Sequence, residues 1–158
     1  MFHALIAPTV AEREAEALRF LAMRKNIGLK IACTTENLAL ARKFASEGLT
    51  VGVTAIYSAA QCYLACQAGA RFAIPYVNRS TRLQGDGLAL VEKMRAVVDA
   101  HDGPTEVLIA SLKSPGEVVD AVLAGAQNVT IPLALILEMG NHPLSDQAIE
   151  EFARAARG

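Results

Sequence analysis

No stretch of the 158-residue sequence approaches the roughly 20 consecutive apolar residues that cross a bilayer, so no membrane span is expected. Charge of neither sign prevails. Fifteen Lys and Arg against 16 Asp and Glu give a net charge of −1, which offers no basic surface for nucleic acid or anionic lipid. Cysteine is scarce: Cys33, Cys62 and Cys66 lack any paired metal spacing. Cys62 and Cys66 lie four apart on an alanine-rich segment and read as small core residues rather than ligands or a disulfide. His3, His101 and His142 are scattered without zinc spacing, the last two in turn-like, solvated stretches. No linker or low-complexity segment divides the chain, and Met1 leads directly into a strand-like run, so no signal peptide is expected. The expectation is one soluble, cytoplasmic α/β domain over residues 1–158 that binds neither nucleic acid nor membrane.

What is present is a repeated alternation. Apolar residues make up 53% of the chain, enough for a full core. Residues 51–79 hold the clearest unit: a buried strand at 51–56, a helix of small residues at 59–68, and a second buried strand at 71–76. Before it, the pattern predicts a strand at 2–7, then a helix at 11–25 capped by Thr9 with Glu12 and stopped by Gly28. A strand at 29–33 and a helix from Thr34 to Ser46 come next. After the central unit come a polar loop at 82–87, a helix at 88–100, a strand at 106–112 and a helix from Ser114 to Gly125. A strand at 128–133, a short helix at 134–139 and a helix at 146–156 complete the pattern. Ala68-Gly69-Ala70 before Ile74-Pro75 is echoed by Ala124-Gly125-Ala126 before Ile131-Pro132. Six strands, each followed by a helix, make a TIM-barrel-like α/β fold with six of the usual eight units.

In such folds chemistry gathers at the carboxyl ends of strands. Lys30 sits in the middle of a hydrophobic strand, where burial opposes an ammonium charge. It is either a Schiff-base nucleophile or a rim lysine whose head reaches water. Thr54, Tyr57, Ser58 and Gln61 end the next strand; the threonine hydroxyl can hold a water or satisfy local backbone. Tyr76, after Pro75, stands where a phenol can exchange a proton, or is a packed ring with a surface hydroxyl. Arg79 and Ser111 can hold a phosphate together with a helix amino terminus, or be ordinary surface residues.

These residues fall in five blocks: Leu29-Lys30-Ile31 with Thr34; Gly52-Val53-Thr54-Ala55-Ile56-Tyr57-Ser58-Ala59-Ala60-Gln61; Pro75-Tyr76-Val77-Asn78-Arg79 with Gly85-Asp86-Gly87; Ala110-Ser111-Leu112-Lys113-Ser114-Pro115; and Thr130-Ile131-Pro132-Leu133. In them the sequence resembles the transaldolase family, in particular the small subfamily that includes fructose-6-phosphate aldolase. The resemblance implies roles. Lys30 matches the Schiff-base lysine, Tyr76 the proton-handling tyrosine, Thr54 a threonine that helps hold the catalytic water, and Arg79 and Ser111 phosphate-binding positions. It implies aldol cleavage or formation on small sugar or sugar-phosphate carbonyl compounds. The lysine imine is the electron sink, with no metal or organic cofactor, in a homo-oligomer.

The resemblance also exposes departures. The chain corresponds to strands three to eight of the family barrel, without the segments that bring an aspartate and an asparagine. Ala4 stands where the family places a Gln or Glu, and Ala32 where it has a proline. The alternative expectation is therefore a catalytically impaired homologue that serves as a sugar-phosphate-binding or assembly protein; a shortened form of a longer chain is another. Six strands must either close on one another as a narrow barrel or be covered by a second copy of the chain.

Overall fold

The computed structural model describes residues 1–24 and 26–157. Six strands form one parallel sheet in chain order: β1 (Phe2–Ala4), β2 (Gly28–Ala32), β3 (Val51–Ile56), β4 (Phe72–Pro75), β5 (Glu106–Ile109) and β6 (Asn128–Val129). Helices α1 (Val10–Met23), α2 (Thr35–Ser46), α3 (Ala59–Gln67), α4 (Val77–Gln84), α5 (Gly87–Asp99), α6 (Pro115–Leu123), α7 (Leu133–Gly140) and α8 (Pro143–Ala155) alternate with them. The result is a curled part of a TIM-barrel-like α/β fold. Among the described residues β1 pairs only with β2 and β6 only with β5, so the six strands do not close into a narrow barrel.

Parallel register assigns each side chain to a face, because partners across a ladder point the same way. Leu29, Ile31, Val51, Val53, Ala73, Val107 and Ile109 face outward and are fully covered by helices. Leu40 and Phe44 of α2, Cys62 and Cys66 of α3, and Val91 and Met94 of α5 complete that core. The three cysteines are free and buried, which for Cys62 and Cys66 is what their alanine-rich segment implies. Phe2, Gly28, Lys30, Gly52, Thr54, Phe72 and Ile74 fall on the inner face. A Cβ on Gly28 would lie 2.7 Å from the Phe2 ring, and one on Gly52 2.9 Å from Ile74 Cδ1 and 3.3 Å from Phe2. Two glycines therefore make room for an aromatic on the inner wall, where Phe2 meets Phe72 edge to face at 5.7 Å.

Several boundaries differ from expectation, each for a local reason. Thr9 and Glu12 form the expected capping box. Gly28 opens β2 rather than ending α1, and Lys25, the expected helix end, lies outside the described residues. β1 stops at Ala4 because the amides of Ile6 and Ala7 turn to the Glu16 carboxylate, at 3.0 and 3.1 Å. The stretch expected as a polar loop at 82–87 contains the end of a helix. α4 buries Val77 and Ser80 and keeps a polar exterior, and only Gly85 and Asp86 link it to α5. β5 ends at Ile109, since Ser111 adopts φ +66° and turns the chain out of the sheet. β6 is cut short by Pro132, which opens α7. The echoed Ala-Gly-Ala segments share one helix stop. Gly69 and Gly125 adopt φ +75° and +105°, and the alanine after each donates back into the last turn.

Candidate active site

Lys30 lies in the register row Ala4, Lys30, Gly52, Phe72 and Glu106, and Thr54 in the next row between Ala32 and Ile74. Both therefore point into the curled sheet, toward its carboxyl edge. Lys30 is half-buried rather than enclosed, its stem lying between the small residues Ala4 and Gly52. Tyr76 follows β4, bridges to Ala110 and becomes the first cap of α4.

Tyr76 is where these groups converge. Thr54 Oγ1 donates to its hydroxyl at 3.0 Å. Lys30 Nζ lies 5.5 Å from the ring centroid, and Arg79 Cζ 4.7 Å from it, both at cation–π range. Tyr57 meets it edge to face with centroids 6.4 Å apart and planes at 87°. Lys30, Thr54 and Tyr76 thus present an amine, a hydroxyl and a phenol to one volume. Such a set can add to a carbonyl and move protons around the adduct.

Arg79 and Ser111 relate to this centre differently. Arg79 is exposed on the first turn of α4, with its guanidinium over Tyr76. Ser111 is half-buried, one residue after Ala110, the bridge partner of Tyr76. Its positive φ is uncommon for a residue with a side chain, and such conformations gather at functional sites. Among the described residues no hydrogen bond joins Arg79 to Ser111. The helix that starts after Ser111 is not free for an anion, because Glu117 fills it. The Glu117 carboxylate accepts from the Lys113 amide at 2.8 Å and from Asn78 Nδ2 at 2.9 Å. The amino end of α4 has no side-chain cap; its first amide, Val77, donates to the Ala110 carbonyl at 3.1 Å, and the end of the helix dipole still favours a negative group there.

Three features are not legible in the sequence pattern alone or were missed in it. The Tyr57–Tyr76 contact depends on a bulge at Ala55 that no residue pattern announces. Gln61 accepts from the Tyr57 amide at 2.8 Å; its place three residues after the Ser58 cap is a readable capping-box signal. Gln84 Nε2 donates to the Tyr57 carbonyl at 3.2 Å, a link that required knowing α4 was a helix. Among the described residues, no group of three or more His, Cys, Asp or Glu is placed to hold a metal ion. No helix among them is long and apolar enough to cross a membrane.

Comparison with known proteins relates the chain to a family. A family model described as transaldolase/fructose-6-phosphate aldolase matches residues 4–157. A protein of Prosthecochloris aestuarii named probable transaldolase is 38% identical over 144 residues, covering 91% of this chain and 64% of that protein. One of the same name from Geotalea uraniireducens is 36% identical over 140 residues, 89% of this chain and 64% of its own. The chain thus spans about 64% of the length of these curated relatives. Among solved structures, a mutant mandelate oxidase superposes with a TM-score of 0.60 at 20% identity, over 82% of this chain and 47% of that one. At that identity the likeness concerns the fold alone.

Proposed function

The chain belongs to the transaldolase/fructose-6-phosphate aldolase family, and on that premise we propose that it makes or breaks a ketose carbon–carbon bond through a Schiff base on Lys30. The observation that carries this reading is the convergence on Tyr76: a hydroxyl 3.0 Å from its phenol and the Lys30 amine 5.5 Å from its ring. In the cleavage direction the Lys30 amine adds to the ketone carbonyl, and the carbinolamine loses water to give an iminium. As the β-hydroxyl gives up its proton, the adjacent carbon–carbon bond breaks and its electron pair passes into the iminium, leaving an enamine and a free aldehyde. Protonation of the enamine carbon and hydrolysis then release the shortened ketone. Tyr76, with Thr54 holding a water beside it, is the proton relay for these steps. The imine is the electron sink, so the scheme calls for no metal or organic cofactor. Arg79, Ser111 and the amino end of α4, which has no side-chain cap, receive the phosphate of a sugar-phosphate substrate.

One observation favours the alternative of a binding or assembly protein. Ala4 pairs in register with Lys30 and is exposed, so that side of the amine has no polar group from β1. Borohydride trapping separates the two. Dihydroxyacetone or glyceraldehyde 3-phosphate with borohydride should leave a stable adduct on Lys30, read by intact mass and lost in Lys30→Met. Adduct with turnover supports the enzyme, adduct without turnover the binding protein, and no adduct across a broad carbonyl panel rejects the Schiff base.

We also propose self-association in the cytoplasm. Among the described residues β1 and β6 present unpaired edges, and α8 buries none of its residues while Leu144, Ile149 and Phe152 are exposed. Three free, buried thiols suit a reducing compartment. Sedimentation at micromolar concentration should show an oligomer; a stable monomer would reject it.

A further inference from the structure

We infer that Tyr57 is a positioning residue for Tyr76, set on the inner wall by the strained backbone at Ala55; this rests on the Schiff-base reading above. In a regular strand Thr54 and Tyr57, three residues apart, point to opposite faces. Here the register jumps: Thr54 pairs with Ile74, but Ile56 pairs with Pro75. The extra residue is Ala55, held at φ +56°, a conformation a side chain disfavours. The jump reverses the parity of the residues beyond Ala55. Ile56 goes to the helix-covered core, fully buried, and Tyr57 comes to the same side as Thr54 and Tyr76.

Tyr57 is then fixed at its backbone from both directions. Gln61 Oε1 accepts its amide at 2.8 Å, and Gln84 Nε2 donates to its carbonyl at 3.2 Å. Gln84 is the last residue of α4, the helix that Tyr76 caps, so the contacts form a loop from Tyr76 through α4 to Tyr57 and back to the Tyr76 ring. Thr54 holds the Tyr76 hydroxyl, the cluster of Ile74, Leu108 and Ala110 packs against the residue, and Lys30 and Arg79 lie over its ring. The Tyr57 ring, edge to face with Tyr76 at 87°, adds the aromatic contact that sets the ring's orientation. The ring of Tyr57, rather than its hydroxyl, does this, because the contact is edge to face.

The test pairs kinetics with a ligand-free readout on the full chain. In aldol addition of dihydroxyacetone to glyceraldehyde 3-phosphate, Tyr57→Leu should lower kcat by about three- to tenfold, the population shift expected when an aromatic pair is lost. KM and the yield of borohydride-trapped Lys30 adduct should hold. Tyr57→Phe should restore kcat to within about twofold, and on a Tyr76→Phe background Tyr57→Leu should cost nothing further. A Phe variant as slow as the Leu variant, or additive losses in the double mutant, would overturn the inference. Should the parent chain form no adduct at all, the Schiff-base reading fails while this one is still decided by NMR. With ¹³C-labelled tyrosine, the Tyr76 ring signals should move in Tyr57→Leu and stay in Tyr57→Phe. Unmoved signals in the Leu variant would overturn it.

Discussion

Replacing Gly87 with alanine tests the junction that supports the candidate site. Gly87 opens α5 directly against the first turn of α4. An added Cβ would sit 2.4 Å from the Val77 carbonyl oxygen, 2.6 Å from Thr81 Oγ1 and 3.1 Å from the Thr81 amide nitrogen. Two of these three are backbone atoms of α4, the helix that Tyr76 caps, so no side-chain rotation relieves the clash. Overpacking of this kind costs about 1–3 kcal/mol. The shift also disturbs the hydrogen bond from the Gly87 amide to Thr81 Oγ1, 3.1 Å long, worth about 1 kcal/mol. Higher helix propensity returns at most about 1 kcal/mol. The net expectation is a loss of about 2 kcal/mol, seen in urea as a lower midpoint at unchanged slope. Gly140→Ala, with open space around its Cβ, is the matched control and should be neutral or stabilise by up to about 1 kcal/mol. Because the clash lies one residue from Tyr76, Gly87→Ala should also slow turnover more than it lowers the yield of Lys30 adduct. A variant as stable as the parent would refute the packing of α5 on α4 and the support it lends to Tyr76.

Tyr76→Phe should reduce turnover by roughly 10²-fold while sparing adduct formation, since it removes the phenol but leaves the amine; unchanged turnover in a steady-state assay would remove Tyr76 from the mechanism. Arg79→Ala should weaken binding of phosphorylated ligands more than of their unphosphorylated analogues in calorimetry, and equal weakening would make Arg79 structural. Glu106 accepts from Asn128 Nδ2 at 2.7 Å and pairs with Arg71, and these two partners hold its carboxyl below the usual carboxylate value. A lowered carboxylate stabilises the fold above its unfolded pKa of about 4.3, and that support is lost as pH falls through the lower folded value. Glu106→Gln should therefore be less stable than the parent at pH 7, with the two urea midpoints converging as pH falls below about 4; parallel curves would count against the pairing.

The strands that were legible are those whose whole length is buried. β3 was readable to the residue because Val51, Val53 and Ile56 are all inaccessible and Gly48 precedes them. The short edges were not, because their limits depend on where amides find partners. Glu16, on a helix ten residues away, ends β1, and a backbone turn at Ser111 ends β5. α4 was hidden by its composition. Val77-Asn78-Arg79-Ser80-Thr81-Arg82-Leu83-Gln84 offers too few apolar residues for a helical period, and its helicity comes from docking on Ala110 and α5. The candidate site was legible in position: Thr54 and Tyr76, expected at neighbouring strand ends, meet at 3.0 Å. Parity was not legible. The run Val51–Ile56 is buried on both faces and has only Thr54 as a polar residue, so a bulge at Ala55 leaves no trace in the pattern that would reveal Tyr57 crossing to the inner wall.

Ala4 is where the proposed chemistry on this scaffold can be tested from the β1 side. Lys30, Thr54, Tyr57 and Tyr76 come from three consecutive strands or the residues just after them, each paired to the next, so amine and phenol are held without help from either open edge. On the other side of Lys30 stands β1, and its register partner there is Ala4. Adjacent strands lie about 4.8 Å apart, which puts a longer side chain at position 4 alongside the Lys30 stem. Ala4→Gln would supply a carboxamide that can hold a water opposite Tyr76. Ala4 is exposed, so the change should move stability by no more than about 0.5 kcal/mol. If adduct forms on Lys30 but water is poorly placed, Ala4→Gln should raise turnover about tenfold or more while the trapped yield stays level. A parent that already turns over freely and gains nothing from the glutamine would show that the relay through Tyr76 and Thr54 suffices. A trapped adduct that never turns over, with or without the glutamine, would place the defect beyond β1 and leave the chain a sugar-phosphate-binding protein.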